Sequence, residues 1–232
     1  MQSYLPGNNE VSSEAELHLS VHEHEAAAST EFDDASSVLL LSTAMSTEGD
    51  RACADLLLPS EADDQNALWI AYTKSPDAQV RRYRSRTDAR PRNIGIISVD
   101  NGARSAAAMV GGDESSGPAG PAGTGGPTET VTNPNDLTGL GIRITEYLSE
   151  WDDTDGRTVV CFDSLTALLQ YVDLGTAYEF LHVLSGRFDA LGAFAHFHMD
   201  PSAHDAQTVE TITSLFDAVV EVDGDERTVR AR

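Results

Sequence analysis

The segment STAMSTEGDR, residues 42–51, has the setting of a phosphate-binding loop, because it follows a short apolar run and precedes a helix-like pattern. A Walker A loop needs G-x-x-x-x-G-K-[ST], in which glycine amides wrap the phosphates and a lysine reaches the outer ones. Here a single glycine remains, no lysine is present, and Glu48 and Asp50 place negative charge where phosphate would lie, although both can cap the helix amides. We therefore predict a degenerate nucleotide loop that does not bind ATP, formed by Ser46, Thr47, Gly49, Asp50 and Arg51.

A second group of polar residues, Asp163 and Ser164, follows the apolar run TVVCF. This segment resembles the Walker B strand of RecA and KaiC proteins, in which the aspartate would orient magnesium and water. The alternative is structural, with Asp163 or Ser164 capping the helix that follows. Because no phosphate loop brings magnesium to this place, we favour the cap.

The segment ALWIAYTKSPDAQV resembles the place where KaiC-like relatives of RecA carry two glutamates that activate the attacking water. Thr73 and Lys74 stand at those two positions. A lysine cannot act as the carboxylate base, so the resemblance implies that hydrolysis is lost.

The segment AHFHMDPSAHD contains His196, His198 and Asp200 at alternating positions, which share one face of a strand. Imidazoles and carboxylates in this spacing are zinc ligands. Pro201 follows where the H-x-H-x-D-H zinc signature needs a histidine, so we expect polar residues at a strand exit rather than a metal site.

The chain has 38 acidic and 15 basic residues, and its formal net charge is therefore 15 − 38 = −23. Such an acidic surface suits a salt-rich cytosol, in which screening shortens the reach of self-repulsion. We expect a halophilic protein, with an ordinary acidic protein as the alternative. The charge disfavours nucleic-acid binding, which needs clustered cations.

Cys53 and Cys161 lie far apart in the sequence, each in an apolar segment, and are expected to be small buried side chains in a reducing compartment. The first residues lack the basic and apolar regions of a signal peptide. No apolar run approaches the length of about 20 residues that a membrane helix needs. We expect a cytoplasmic protein with no membrane partner.

The chain divides into a polar, acidic segment, residues 1–34, and a patterned segment, residues 35–232. We predict a disordered acidic tail for the first, because it has too little apolar content to offset the entropy of ordering. In the second, residues 101–129 are rich in glycine and proline and are predicted to form a flexible loop.

Apolar runs alternate with helix-like segments from residue 35 onwards, which predicts an α/β fold with a mostly parallel sheet and helices on both faces. The final segment, DAVVEVDGDERTVRAR, predicts a C-terminal antiparallel hairpin that turns at Asp223-Gly224 or Gly224-Asp225.

From Ser36 to about Val222 the chain resembles a haloarchaeal family known as HTR-like proteins, which are distant, degenerate relatives of the KaiC, GvpD and RecA ATPases. The motifs that carry the resemblance include SSVLLLSTAM, TKSPDAQVRRYR, FDSLTALLQYVDL and FLHVLSGRFDALGAFAHFHMDPSAHD. The resemblance implies a RecA/KaiC-like fold for residues 35–232.

These observations together predict a non-catalytic RecA/KaiC-like module, a pseudo-ATPase that acts in regulation or signalling by binding another protein. We expect no cofactor and no nucleic-acid partner, and a homo-oligomer remains open. The alternative is a nucleotide- or metal-dependent enzyme that uses the carboxyl edge of the sheet, where open α/β sheets bind ligands. Its residues would be Asp163, His196, His198 and Asp200.

Overall fold

The computed structural model describes residues 32, 35–57, 65–85, 91–99, 128–154 and 156–231. Ala35–Arg232 form one compact unit. The predicted tail at residues 1–34, Phe32 apart, and residues 101–127 of the predicted loop lie outside the described residues. Among the described helices, none combines the length and apolar character that crossing a membrane requires.

Eight strands form a single sheet in the described part of the chain. They are β1 Ser37–Ser42, β2 Asn66–Ala71, β3 Asn93–Val99, β4 Thr128–Val131, β5 Thr158–Asp163, β6 Phe194–Met199, β7 Ala218–Asp223 and β8 Glu226–Ala231. Every residue of β2 and β6 is buried. Strands covered on both faces have unbroken apolar runs, which explains why the sequence pattern located them.

Six α-helices and one short 3₁₀ turn connect the described strands. They are α1 Thr47–Leu57, α2 Pro76–Arg84, α3 Leu137–Asp152, α4 Leu165–Leu168, α5 Leu174–Ala190, α6 Ala206–Thr213 and the turn Pro201–Ala203. The hydroxyl of Ser75 accepts a hydrogen bond from the amide of Ala78 and caps α2. Gly192 follows the end of α5 with a φ of +62°.

The strand order is β4-β3-β2-β5-β6-β1-β7-β8, and among these strands only β7 and β8 pair in the antiparallel sense. This arrangement confirms the mostly parallel sheet and the C-terminal hairpin. The hairpin turns at Gly224-Asp225, with Gly224 at a φ of +58°. In the register of the central strands, Cys161 of β5 lies beside His196 of β6 and beside Trp69 of β2.

Helices cover both faces of the sheet, as predicted. On one face Phe162 and Phe197 belong to a large apolar core to which α3, α5 and α6 contribute. Alternate residues of the same strands, including Cys161 and His196, point to the opposite face, where α1 packs on β5 and β6.

The predicted loop at residues 101–129 is wrong at its end, because Thr128 and Glu129 are the first residues of β4. This strand pairs with β3 at the edge of the sheet. It has only four residues and follows a glycine-rich segment, so its apolar pattern is too short to be recognised.

Candidate functional site

The turn between β1 and α1 is held by hydrogen bonds from the chain itself. The hydroxyl of Ser46 accepts from the amide of Gly49 at 3.0 Å, and the Ser46 carbonyl accepts from the amide of Asp50, also at 3.0 Å. The amide of Ala44 donates to Oδ2 of Asp200 at 2.8 Å. Ser46 therefore caps α1, a role that the sequence had given to Glu48 and Asp50.

Of the residues in the predicted degenerate loop, Thr47, Gly49, Asp50 and Arg51 are the first, third, fourth and fifth residues of α1. Glu48 does not cap the helix but forms an ion pair of 2.7 Å with Arg51. A Cβ atom at Gly49 would lie 2.6 Å from the hydroxyl oxygen of Ser42. The one remaining glycine is thus explained by the close packing of α1 against β1 rather than by a phosphate.

Asp163 at the end of β5 forms an ion pair with Lys74, in which Nζ lies 2.6 Å from Oδ2. The carboxylate side chain is 7% exposed and the lysine side chain 34% exposed. The hydroxyl of Thr73 also donates to Asp163, at 3.4 Å. The residues at the two glutamate positions of the resemblance therefore both bind the aspartate that would orient magnesium.

Ser164 caps the short helix α4, because its hydroxyl accepts a hydrogen bond from the amide of Ala167 at 3.3 Å. Of the two residues considered for this cap, Ser164 has the role and Asp163 does not. Asp163 thus forms an ion pair, whereas Ser164 caps a helix.

Asp200 directly follows β6 and links the end of this strand to the β1–α1 turn through hydrogen bonds. Its carboxylate accepts hydrogen bonds from the amide and hydroxyl of Ser202 and from the amide of Ala44. Burial alone would raise the pKa of Asp200, but these hydrogen bonds outweigh burial and hold the pKa below its ordinary value. The sequence grouped Asp200 with the two histidines, and the structure gives it a separate set of partners.

His196 and His198 converge instead with the two cysteines of the chain. Sγ of Cys53 lies 3.9 Å from Sγ of Cys161 and 3.4 Å from Nε2 of His196. Sγ of Cys161 lies 3.6 Å from Nε2 of His198. We call these four residues the Cys2His2 cluster; their ligand atoms all lie within 4.8 Å of one another.

The Cys2His2 cluster is buried on the α1 side of the sheet. Cys161 and His196 are fully inaccessible, and Cys53 and His198 are 5% and 9% exposed. Burial, with a smaller contribution from the hydrogen bond to Cys53, raises the pKa of the Cys161 thiol to about 12. Nδ1 of His196 has no hydrogen-bond partner among the described residues.

Sequence reasoning missed this cluster because it treated the cysteines as ordinary buried side chains. The alternation of His196 and His198 was visible, but the neighbour of His196 in the sheet was not. The missing signal is the strand order, which places β5 beside β6 and so Cys161 beside His196.

Among the solved structures that resemble this chain are two of low similarity. One is a structural-study target from Pyrococcus horikoshii OT3, with 12% identity and a TM-score of 0.49, covering 84% of this chain and 86% of the other. The second is the flagellar accessory protein FlaH from Methanocaldococcus jannaschii, with 12% identity and a TM-score of 0.47, covering 85% and 76%. Neither likeness carries an inference about function.

No curated protein sequence matches the chain. A family does match, over residues 35–222, which include both the β1–α1 turn and the Cys2His2 cluster. The chain belongs to this family, DUF7504, a family of unknown function.

Proposed function

We propose that this chain is a non-catalytic RecA/KaiC-like module, a pseudo-ATPase that acts in regulation or signalling by binding another protein. The observation that carries the proposal is the ion pair between Lys74 and Asp163. It places an ammonium group on the carboxylate that would otherwise orient magnesium and water.

The electrostatics of the β1–α1 turn support the same function. Glu48 and Asp50 lie in the first turn of α1, and the Asp200 carboxylate binds the turn at Ala44. A triphosphate placed here would meet like charges at short range, and no lysine of the chain lies in this loop to compensate them. The helix N-terminus favours anions because its amides are free to donate, but one of these amides, that of Gly49, already donates to the Ser46 hydroxyl.

A protein partner is supported by apolar side chains that the described helices expose. Ile142 of α3 is 54% exposed and Val183 of α5 is 58% exposed, on a chain whose surface is otherwise strongly acidic. The proposed partner surface is α3, on which Ile142 is exposed.

Calorimetric titration of ATP with magnesium into the full chain in molar potassium chloride tests the loss of nucleotide binding. We expect no binding heat from a sample whose cooperative thermal unfolding shows that it is folded. Micromolar binding that is weakened by Arg51→Met or Lys74→Met would overturn the proposal, because it would show that these cations hold phosphate. The matched control is Arg230→Met, which removes a cation from the exposed pair with Glu221.

A further inference from the structure

We infer that Cys53, Cys161, His196 and His198 form a four-ligand site for zinc. This inference goes beyond the proposed function, which needs no cofactor. It rests on the convergence of four side chains from three separate elements, α1, β5 and β6.

Three of the six separations between ligand atoms have the values expected of a tetrahedral zinc site, and all six are within 4.8 Å. Zinc–sulfur bonds of about 2.3 Å and zinc–nitrogen bonds of about 2.05 Å put two sulfurs about 3.8 Å apart and a sulfur and a nitrogen about 3.5 Å apart. The separation of the two Sγ atoms is 3.9 Å, and the two sulfur–nitrogen distances are 3.4 and 3.6 Å. A zinc ion would therefore match these three separations and would need any longer separation in the cluster to shorten from at most 4.8 Å.

The donor set selects the metal. Two sulfurs and two imidazole nitrogens suit zinc, whereas magnesium and calcium prefer oxygen ligands. Binding releases the two thiol protons to solvent, and the negative charges of the two thiolates cancel the charge of Zn²⁺. The complete site is therefore neutral, which lowers the cost of placing an ion in the buried interior.

Without a metal ion, the polar atoms of this cluster are poorly satisfied. Nε2 of each histidine faces a thiol sulfur, which is only a weak hydrogen-bonding group. Buried polar groups in folded proteins are nearly always hydrogen-bonded, so this arrangement calls for a ligand. A zinc ion would take up the Nε2 lone pairs of both rings.

Four protein ligands in a buried place leave no open coordination position, which is typical of a structural rather than a catalytic zinc site. Zinc would fix α1 to β5 and β6 through Cys53, at the helix that follows the degenerate loop. Because the ligands meet only in the folded chain, the binding energy would add to folding stability.

The test is a titration of the reduced, chelator-treated full chain with Co²⁺ and then with Zn²⁺. We expect one equivalent of Co²⁺ with the visible absorption of a tetrahedral thiolate complex, its loss when Zn²⁺ displaces Co²⁺, and a higher unfolding temperature with zinc. Absence of stoichiometric binding, or a Co²⁺ spectrum without thiolate bands, would overturn the inference. A purified chain lighter by two hydrogens, with Cys53 and Cys161 joined as a disulfide, would also overturn it.

Variants locate the bound ion. Cys53→Ser and His198→Asn should each lower zinc affinity more than about 100-fold, which is the upper range for losing even an outer-shell partner. The double variant H22N/H24N is the matched control, since His22 and His24 also alternate in the sequence and it should keep one equivalent. The inference fails if the control loses the ion or if the cluster variants keep it. Should a cluster variant not fold, the wild-type cobalt spectrum alone decides the outcome.

Discussion

Replacement of Lys74 by methionine should lower the free energy of unfolding by more than is usual for a substitution at a partly exposed side chain. The substitution keeps most of the apolar stem but removes the Lys74 ammonium from the Asp163 carboxylate, which is 7% exposed. Removing one partner of a buried ion pair costs about 3–5 kcal/mol. Because the lysine side chain is 34% exposed, water replaces part of the lost interaction, and we expect a loss of about 2 kcal/mol in the free energy of unfolding.

The expected loss corresponds to a decrease of roughly 4–8 °C in unfolding temperature for a domain of this size. The assay is denaturant unfolding followed by circular dichroism, in molar potassium chloride. High salt screens exposed pairs but has much less effect on a partly buried one, so the loss should persist across the salt range. Arg230→Met breaks the exposed pair with Glu221, where the side chains are 61% and 48% exposed, and should cost at most about 1 kcal/mol.

The difference in burial also predicts an asymmetry between the partners. Asp163→Asn should cost less than Lys74→Met, because the lysine left behind can turn towards water whereas the carboxylate cannot. The double variant K74M/D163N should recover part of the loss, and the cycle of single and double variants gives the coupling energy. A loss below about 0.5 kcal/mol for Lys74→Met, or an equal loss for both single variants, would refute the reasoning.

Three further substitutions test other contacts. Burial alone would raise the pKa of Asp217, but hydrogen bonds from Ser37 and Ser36 hold this pKa below the ordinary 3.8. The ionised Asp217 therefore stabilises the fold above pH 3.8, and this stabilisation is lost as the pH falls through the lower pKa of the folded state. Asp217→Asn should lower stability at pH 7 and make the loss of stability in acid smaller, as measured by unfolding at several pH values. Gly49→Ala should cost about 1–3 kcal/mol in urea unfolding, since the new Cβ would lie 2.6 Å from the Ser42 hydroxyl oxygen, whereas Gly186→Ala, with open space around its Cβ, should stabilise α5 by up to about 1 kcal/mol. Equal effects of the two glycine changes, or an unchanged acid profile for Asp217→Asn, would contradict these expectations.

The sequence predicted the elements of the fold better than their arrangement. Buried strands such as β2 and β6 have unbroken apolar runs, and Ser75 and Gly192 mark helix ends through local backbone chemistry. Strand β4 was missed because four edge residues carry too little pattern. Strand order depends on contacts between distant segments, which no local pattern contains.

The same limit explains what was and was not predicted at the candidate site. Ser164 was correctly considered as a cap because capping depends on neighbouring residues. The pair between Lys74 and Asp163 joins residues 89 positions apart and was not predicted, although each residue had been singled out separately. Cys53 and His196 are 143 positions apart, so their contact became visible only in the folded chain.

The ion pair of Lys74 has a practical consequence for chemical labelling. Lys74 is the single lysine of the chain, so its amine is the only side-chain amine that an acylating reagent can modify. Acylation needs access to the amine nitrogen, and the 2.6 Å contact with Asp163 occupies Nζ. The rate at which an acyl group is added to Lys74, located by peptide mass spectrometry because the α-amino group also reacts, therefore reports how often the carboxyl edge of β5 opens in the native protein, without any introduced probe.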